Sequence, residues 1–392
     1  MRIAHVITRL ILGGAQENTL LSCEDLLRIY GDDVLLITGP PLGPEGSLLE
    51  RARAGGVPTT VIPELRRAIH PWRDLISYRR LKQTLRDFQP QVVHTHSAKG
   101  GILGRMAASA LGVPAIVHSV HGAPFHPYQN PLARAFSCAC ERWAASRCHA
   151  LVSVADAMTE LMVQAGVAPR EKFTTVYSGM EVEPFLESAK YREQVRQELG
   201  YRPEHVVVGK VARLFHLKGH EYLIRAARQV VAAQPKVRFL LVGDGILASA
   251  LRRQIAEAGL DEYFLLTGLV APAKIPALIA AMDLVVHVSL REGLARVLPQ
   301  ALIAGKPVIS YDVDGAREVI VSDQTGFLLP PKSVNELAEA IVRLAADPAL
   351  RKRLGAEGRQ RFTERFRHEH MTAELRSLYA RLLFSRGSGQ SR

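Results

Sequence analysis

Short, β-branched apolar runs alternate with stretches of helical periodicity from the first residues to about residue 330. That alternation restricts the chain to parallel sheets joined by crossover helices. The first series of runs is Ile3–Thr8, Val34–Thr38, Thr59–Ile62, Val92–Thr95, Ala115–Val120, Ala150–Val154 and Thr174–Tyr177. The second is Val206–Val211, Phe239–Val242, Phe264–Thr267, Leu284–Val288, Pro307–Tyr311 and Gly326–Leu329. Two successive series predict two Rossmann-like, doubly wound domains, and 392 residues are enough for both. Between the series, EVEPFLESAKYREQVRQELGYRPEH is charged and poor in β-branched residues. The expected domains are therefore 1–182 and 204–365, with 183–203 as linker. Ser333 and Glu336 have capping-box spacing for a helix after Pro330-Pro331. A helical tail over 366–392 is expected to fray over its last residues, SRGSGQSR.

Composition bounds the setting. The apolar start lasts about ten residues before Gly13-Gly14, too short for a signal peptide, and no run of about 18 apolar residues offers a spanning helix. A cytoplasmic protein is expected. Cys23, Cys138, Cys140 and Cys148 form neither a CxxC pair nor a zinc-like cluster with histidine, so reduced structural thiols are expected. The formal net charge of +12 suits nucleic acid, anionic lipid or phosphate-bearing substrates alike. Seven of the cations fall between Glu64 and Arg86, where Leu65, Ile69, Trp72, Ile76 and Leu81 are spaced for an amphipathic helix. That helix either packs its apolar face on the core or rests peripherally on an anionic membrane surface.

Open α/β sheets bind ligands beyond the carboxyl ends of their strands, so chemistry is sought in the strand-to-helix turns. In SLREGLARVLPQALIAGKPVISYDVDGAREVI, from Ser289 to Ile320, a strand gives way to a turn carrying Arg291, Glu292 and Gly293, and then to a helix starting near Arg296 or Val297. Pro299 fits in that helix's first turn. Backbone N–H groups around Leu294, Ala295, Arg296 and Val297 then offer a seat for a diphosphate, with Glu292 as an acceptor for sugar hydroxyls. In VGKVARLFHLKGHEYLIRAA, Arg213 and Lys218 follow a strand, where two cations are either ordinary surface charges or a means of neutralising a departing diphosphate. Gly13 and Gly14 follow the first strand, although GxGxxG is absent. His94 and His96 point to one side of a strand with no third metal ligand evident, and Asp312-Val313-Asp314 is a weak DxD match.

From Gly13 to about Gly326, these turns in this order resemble the family 4 retaining glycosyltransferases, whose signature is two Glu separated by seven residues. Glu292 matches the first, but Gln300 stands at the second, keeping a carbonyl acceptor and losing the charge. The resemblance implies a GT-B fold, two Rossmann-like domains facing an interdomain cleft. It implies that Glu292 contacts the donor sugar, Gln300 the ribose, and Arg213 and Lys218 the leaving diphosphate. Gly13 and Gly14 would close over the donor, and the turns at Gly243 and at Gly268 and Leu269 would surround the base. His121 would stand beside the reacting sugar as a catalytic residue. His96 and Lys99 are candidate acceptor contacts. No metal or other cofactor is required by the family, and no nucleic acid is expected as partner.

The expected reaction is transfer of a sugar from a UDP-sugar to a hydroxyl of a sugar, lipid-linked or small-molecule acceptor, in envelope polysaccharide or glycoconjugate synthesis. Two rivals are a GT-B nucleotide-sugar epimerase or hydrolase and a non-catalytic nucleotide-sugar or polyanion binder. The first wants a carboxylate poised as base, and none is evident beyond Glu292; the second is favoured only by Gln300.

Overall fold

The computed structural model describes residues 1–43 and 46–387, so 388–392 of the expected frayed end lie outside the described residues. The chain forms two compact units, Met1–Met180 with Arg365–Arg392, and Glu181–Glu364.

In the first unit, seven strands form one sheet: β1 (Arg2–Ile7), β2 (Asp33–Thr38), β3 (Thr59–Val61), β4 (Val92–His96), β5 (Ala115–Val120), β6 (Ala150–Ser153) and β7 (Phe173–Thr175). Their order is β3-β2-β1-β4-β5-β6-β7, with every pairing parallel. The order reverses between β1 and β4, the place where such sheets open toward ligand. One face is covered by the helices Gly14–Arg28 and His368–Gly387, which pack on each other around Ile3, Ile7, Leu20, Val92, Val117 and Leu375. On the other face, the helix Ala98–Ala110 approaches closely because Gly101 has no side chain; a Cβ there would stand 2.4 Å from the His118 ring.

The helix expected as a tail is thus a core element of the first unit. The reason is specific pairing: Thr372 donates to Asp25 Oδ2 at 2.7 Å, His368 Nδ1 lies 2.9 Å from the same carboxylate, and Arg376 Nε donates to Asp32 at 2.8 Å. Met371, Leu375, Leu378 and Tyr379 are buried beneath them.

The second unit holds six strands: β8 (Val206–Val211), β9 (Val237–Val242), β10 (Phe264–Leu266), β11 (Leu284–His287), β12 (Val308–Tyr311) and β13 (Gly326–Leu329). Their order is β10-β9-β8-β11-β12-β13, again all parallel. The segment expected as linker, 183–203, is structured within this unit. Its helices Glu183–Leu186 and Arg192–Glu198 pack on the helix Ile275–Ala281, and Arg192 and Arg196 both hold Asp283, at 2.6 and 3.1 Å. The helix Val334–Ala346 forms without the expected capping box. Ser333 Oγ instead donates to the Pro330 carbonyl at 2.7 Å.

The basic stretch also departs from one expectation. The helix Pro71–Phe88 is capped by His70, whose Nδ1 accepts from the Arg73 N–H, and it buries only Ser77, Leu81 and Leu85. Leu65 is buried, but Ile69 and Trp72 are 83% and 74% exposed, and Ile76 is also exposed. The apolar spacing therefore splits into a buried and a solvent-facing set. The helix Pro131–Ala145 has the same character, with Leu132 and Phe136 exposed at 81% and 68%. Both helices pack against Ala98–Ala110.

Candidate functional site

In the first unit, the candidate residues gather at the carboxyl ends of β1, β4 and β5. Ile3, Ile7, Val92 and Val117 make that face apolar, yet His5, His94 and His96 stand in the same column, fully buried. Burial of a polar ring is costly unless it is hydrogen-bonded, and these are. His5 Nδ1 lies 3.1 Å from His96 Nε2, and His96 Nδ1 lies 3.1 Å from Nε2 of the half-buried His121. His94 Nδ1 lies 2.5 Å from the Tyr379 hydroxyl and its Nε2 lies 2.8 Å from Ser119 Oγ. Burial lowers the His5 pKa to about 3 and holds His94 and His96 well below their ordinary value, so all three are neutral at pH 7.

A third histidine, His5, thus joins the two read on β4 from the sequence. One nitrogen from each of His5, His94 and His96 lies within 4.8 Å of the others. The rings' hydrogen bonds run between His5 and His96, from His96 to His121, and from His94 to Ser119 and Tyr379. His96 is expected as an acceptor contact, but complete burial removes it from any acceptor; it reaches the site only through His121. Lys99 is likewise committed, its ammonium bonded to Asp74 at 2.7 Å and to the Ala68 carbonyl. Beside it lies a cavity of about 480 Å³ whose lining includes Arg9, Arg67, Ile69, Ile102 and Leu103.

Gly13 caps the helix Gly14–Arg28 with φ 172°, extended backbone open to any residue. A Cβ there would meet only the end of the Gln16 side chain, at 2.7 Å.

In the second unit, the turns at the carboxyl ends of β8, β9 and β10 are stitched together. Leu214 N–H donates to the Asp244 carbonyl at 2.9 Å, and Gly243 N–H to the Gly268 carbonyl at 3.2 Å. Leu269 is exposed beside them. Arg213 is exposed with its guanidinium over the Phe215 ring, while His220 Nε2 meets the Arg213 carbonyl at 3.1 Å. Gly219, at φ 70°, lets this turn approach β11; a Cβ would stand 1.9 Å from the Val288 carbonyl oxygen.

Lys218 and Glu292, 74 residues apart, meet at 2.5 Å. His287 Nε2 lies 3.2 Å from the same Glu292 oxygen. Burial pushes the Glu292 carboxyl up, but His287 and Lys218 more than offset this and hold it well below the usual carboxylate range. Burial also lowers His287 despite Glu292, so the ring serves as a neutral N–H donor and Lys218 supplies the charge. The turn is fixed from below: Glu292 N–H donates to Asp314 Oδ2 at 2.6 Å, and Gly315 N–H to the Gly293 carbonyl at 3.1 Å. The neighbouring Asp312 is clamped by Arg317 at 2.7 and 2.9 Å, so each half of the DxD match has a protein partner.

The helix after this turn is Val297–Ile303, with Pro299 in its first turn as expected. It has only seven residues, so its dipole is small, and the seat at Leu294–Val297 depends on directed N–H groups. Gln300 sits on this helix, half-buried. Around Glu292, Lys210 Nζ, His287 Nδ1, Ser289 Oγ and the Tyr311 hydroxyl are buried without a hydrogen-bond partner among the described residues. Burial and the nearby charge of Lys218 lower the Lys210 pKa to about 7. His5, Lys210 and His287 were not singled out from the sequence. Their common signal is one ionisable residue inside an otherwise apolar strand.

Residues 14–179 match the family model described as "Glycosyl transferase 4-like domain", and residues 191–361 match "Glycosyl transferases group 1". The chain is 29% identical over 353 residues to the Escherichia coli UDP-Gal:alpha-D-GlcNAc-diphosphoundecaprenol alpha-1,3-galactosyltransferase, covering 89% of each chain. It is 29% identical over 292 residues to the Streptomyces kanamyceticus 2-deoxystreptamine glucosyltransferase, covering 72% of this chain and 74% of that one. The crystal structure of Anabaena HepE in complex with UDP superposes with a TM-score of 0.82 at 24% identity, over 97% of this chain and 100% of that one.

Proposed function

The chain is a group 1 glycosyltransferase of the GT-B fold, and on that premise we propose that it transfers a sugar from a UDP-sugar to an acceptor hydroxyl, with retention at the anomeric centre and without a metal ion, in polysaccharide or glycoconjugate synthesis. The observation that carries the reading is the half-buried pair of Lys218 and Glu292, set among buried polar atoms that have no hydrogen-bond partner among the described residues. A carboxylate aimed by two donors is suited to sugar hydroxyls, and a lysine beside it to phosphate.

In this reading the bond between the anomeric carbon and the diphosphate oxygen breaks while the acceptor oxygen bonds to the same face of that carbon. The acceptor proton passes to the departing phosphate oxygen. Lys218, Arg213 and the N–H groups of Leu294–Val297 stabilise the diphosphate, Glu292 holds the sugar, Gln300 the ribose, and Gly243, Gly268 and Leu269 flank the base. His121, with Gly13 and Gly14, belongs to the first unit's side of the reaction. The donor class is supported by the relative named for UDP-Gal and by the fold neighbour holding UDP.

For the acceptor, the cavity beside Arg9, Arg67 and Ile102 joins cationic to apolar lining, which suits a diphosphate carried on a lipid. Exposed Ile69, Trp72, Leu132 and Phe136 stand among Arg66, Arg67, Arg73 and Arg134, and we assign this face to an anionic bilayer. Among the described residues no helix is long and apolar enough to cross a membrane. The test of the whole reading is calorimetry with a panel of nucleotides and nucleotide sugars, followed by transfer assays with and without EDTA. UDP binding and EDTA-resistant transfer are expected. Binding without transfer to any acceptor would favour a non-catalytic binder, and loss of transfer in EDTA would refute metal independence.

A further inference from the structure

We infer that the hydrogen-bonded line of His5, His96 and His121 fixes the tautomer of His121, with the proton of every ring on Nδ1, and that His96 is thereby a positioning residue for the site. Its bearing on turnover rests on the proposed place of His121 beside the reacting sugar; the tautomer itself does not.

A neutral imidazole carries one N–H and one lone pair, so each ring in a line must donate through one nitrogen and accept through the other. His5 Nδ1 faces His96 Nε2, and His96 Nδ1 faces His121 Nε2, both at 3.1 Å. Only two assignments keep both hydrogen bonds: all three protons on Nδ1, or all three on Nε2. Any mixture sets two protons or two lone pairs face to face and loses a bond.

The inner end of the line chooses between them. His5 Nε2 is buried with no partner among the described residues. A proton there would leave an orphaned buried N–H, which is rarer in proteins than an under-used acceptor. Protonation on Nδ1 leaves only a bare lone pair, so His5 donates to His96 and His96 donates to His121. Full burial of His5 and His96 favours the neutral rings that the alternation requires. His121 Nδ1 is then a fixed donor at the end of β5. An apolar residue at His96 would remove the donor that faces His121 Nε2.

The experiment is a long-range 1H–15N correlation spectrum of the full chain labelled with 15N-histidine, recorded at pH 8, with His121 assigned by loss of its signals in His121→Gln. Wild type is expected to show His121 protonated on Nδ1 and bare on Nε2. In His96→Leu that pattern should give way to the other tautomer or a mixture, and turnover should fall at least tenfold with little change in KM for the donor. His96→Gln, whose amide can still donate to His121 Nε2, should recover the pattern and part of the turnover, and it serves if the leucine variant does not fold. Wild-type His121 protonated on Nε2 overturns the proposal without any variant. So does a His5, His94 and His96 spectrum that shifts when zinc is added to the chain, because the three rings would then be a cation site. A fully active His121→Ala together with the expected tautomer would instead refute the catalytic placement of His121 and leave the line of histidines standing.

Discussion

Replacing Lys210 by methionine isolates the one ammonium in the second sheet that is fully buried without a partner among the described residues. The side chain lies at the end of β8, in the field of Lys218, Glu221 and Glu292, and its pKa falls from 10.5 to about 7 on folding. A base whose folded pKa is lowered binds more protons unfolded than folded between those two values, so stability rises with pH across that window. With about 1.4 kcal/mol per pKa unit, the penalty for Lys210 is about 4 kcal/mol at pH 7 and has shrunk to about 2 kcal/mol at pH 9. Wild type should therefore gain about 2 kcal/mol over Lys210→Met between pH 7 and 9, whatever constant term the methionine adds through repacking. Both tryptophans, Trp72 and Trp143, lie in the first unit, so their fluorescence cannot follow this change. Pulse proteolysis across urea at pH 7, 8 and 9, with cleavages in 181–364 assigned by mass spectrometry, reads the second unit directly. A wild-type minus variant difference that stays flat over this range would refute the reasoning, because Lys210 would then be paired or hydrated in solution.

Lys218→Ala should raise the transfer barrier by about 2–4 kcal/mol, and Arg213→Ala by a similar amount, in a steady-state assay with a UDP-sugar; full activity in either would remove its leaving-group role. Gln300→Glu should tighten UDP binding by at most about tenfold, about 0.5–1.5 kcal/mol by calorimetry, whereas Glu292→Gln should reduce turnover more than UDP affinity. The opposite ranking would mean that the donor lies along this turn in another register. Ile69→Ser with Trp72→Ser should lower sedimentation with vesicles containing anionic lipid and leave binding to neutral vesicles unchanged; equal partitioning of wild type to both would refute the membrane face.

The sheets were legible because parallel strands buried on both faces leave continuous apolar runs, and each of the thirteen expected runs overlaps an observed strand. The pairing of Lys218 with Glu292 was legible only as two separate turns, since nothing local records a contact across 74 residues. What escaped was decided by tertiary partners. Thr372 and Arg376 look like any polar helix surface until Asp25 and Asp32 are placed opposite them. The spacing of Ile69, Trp72 and Ile76 marks an apolar face without saying what it touches. His5 and Lys210 were passed over because each is a single polar residue in a strand whose neighbours all speak for the core.

The helix His368–Gly387 has a consequence for synthesis of the chain. The ribosome delivers β1 through β7 first, but the face of that sheet covered by Tyr379 and Leu375 stays uncovered until residues 365–387 have emerged, after the whole second unit. Domains ordinarily fold in order from the amino terminus during translation. Here the second unit can complete its own core while the first waits with an open apolar face, and the contact of Tyr379 with His94 forms last. The nascent chain is thus most dependent on chaperone cover in the interval between release of β7 and release of that helix.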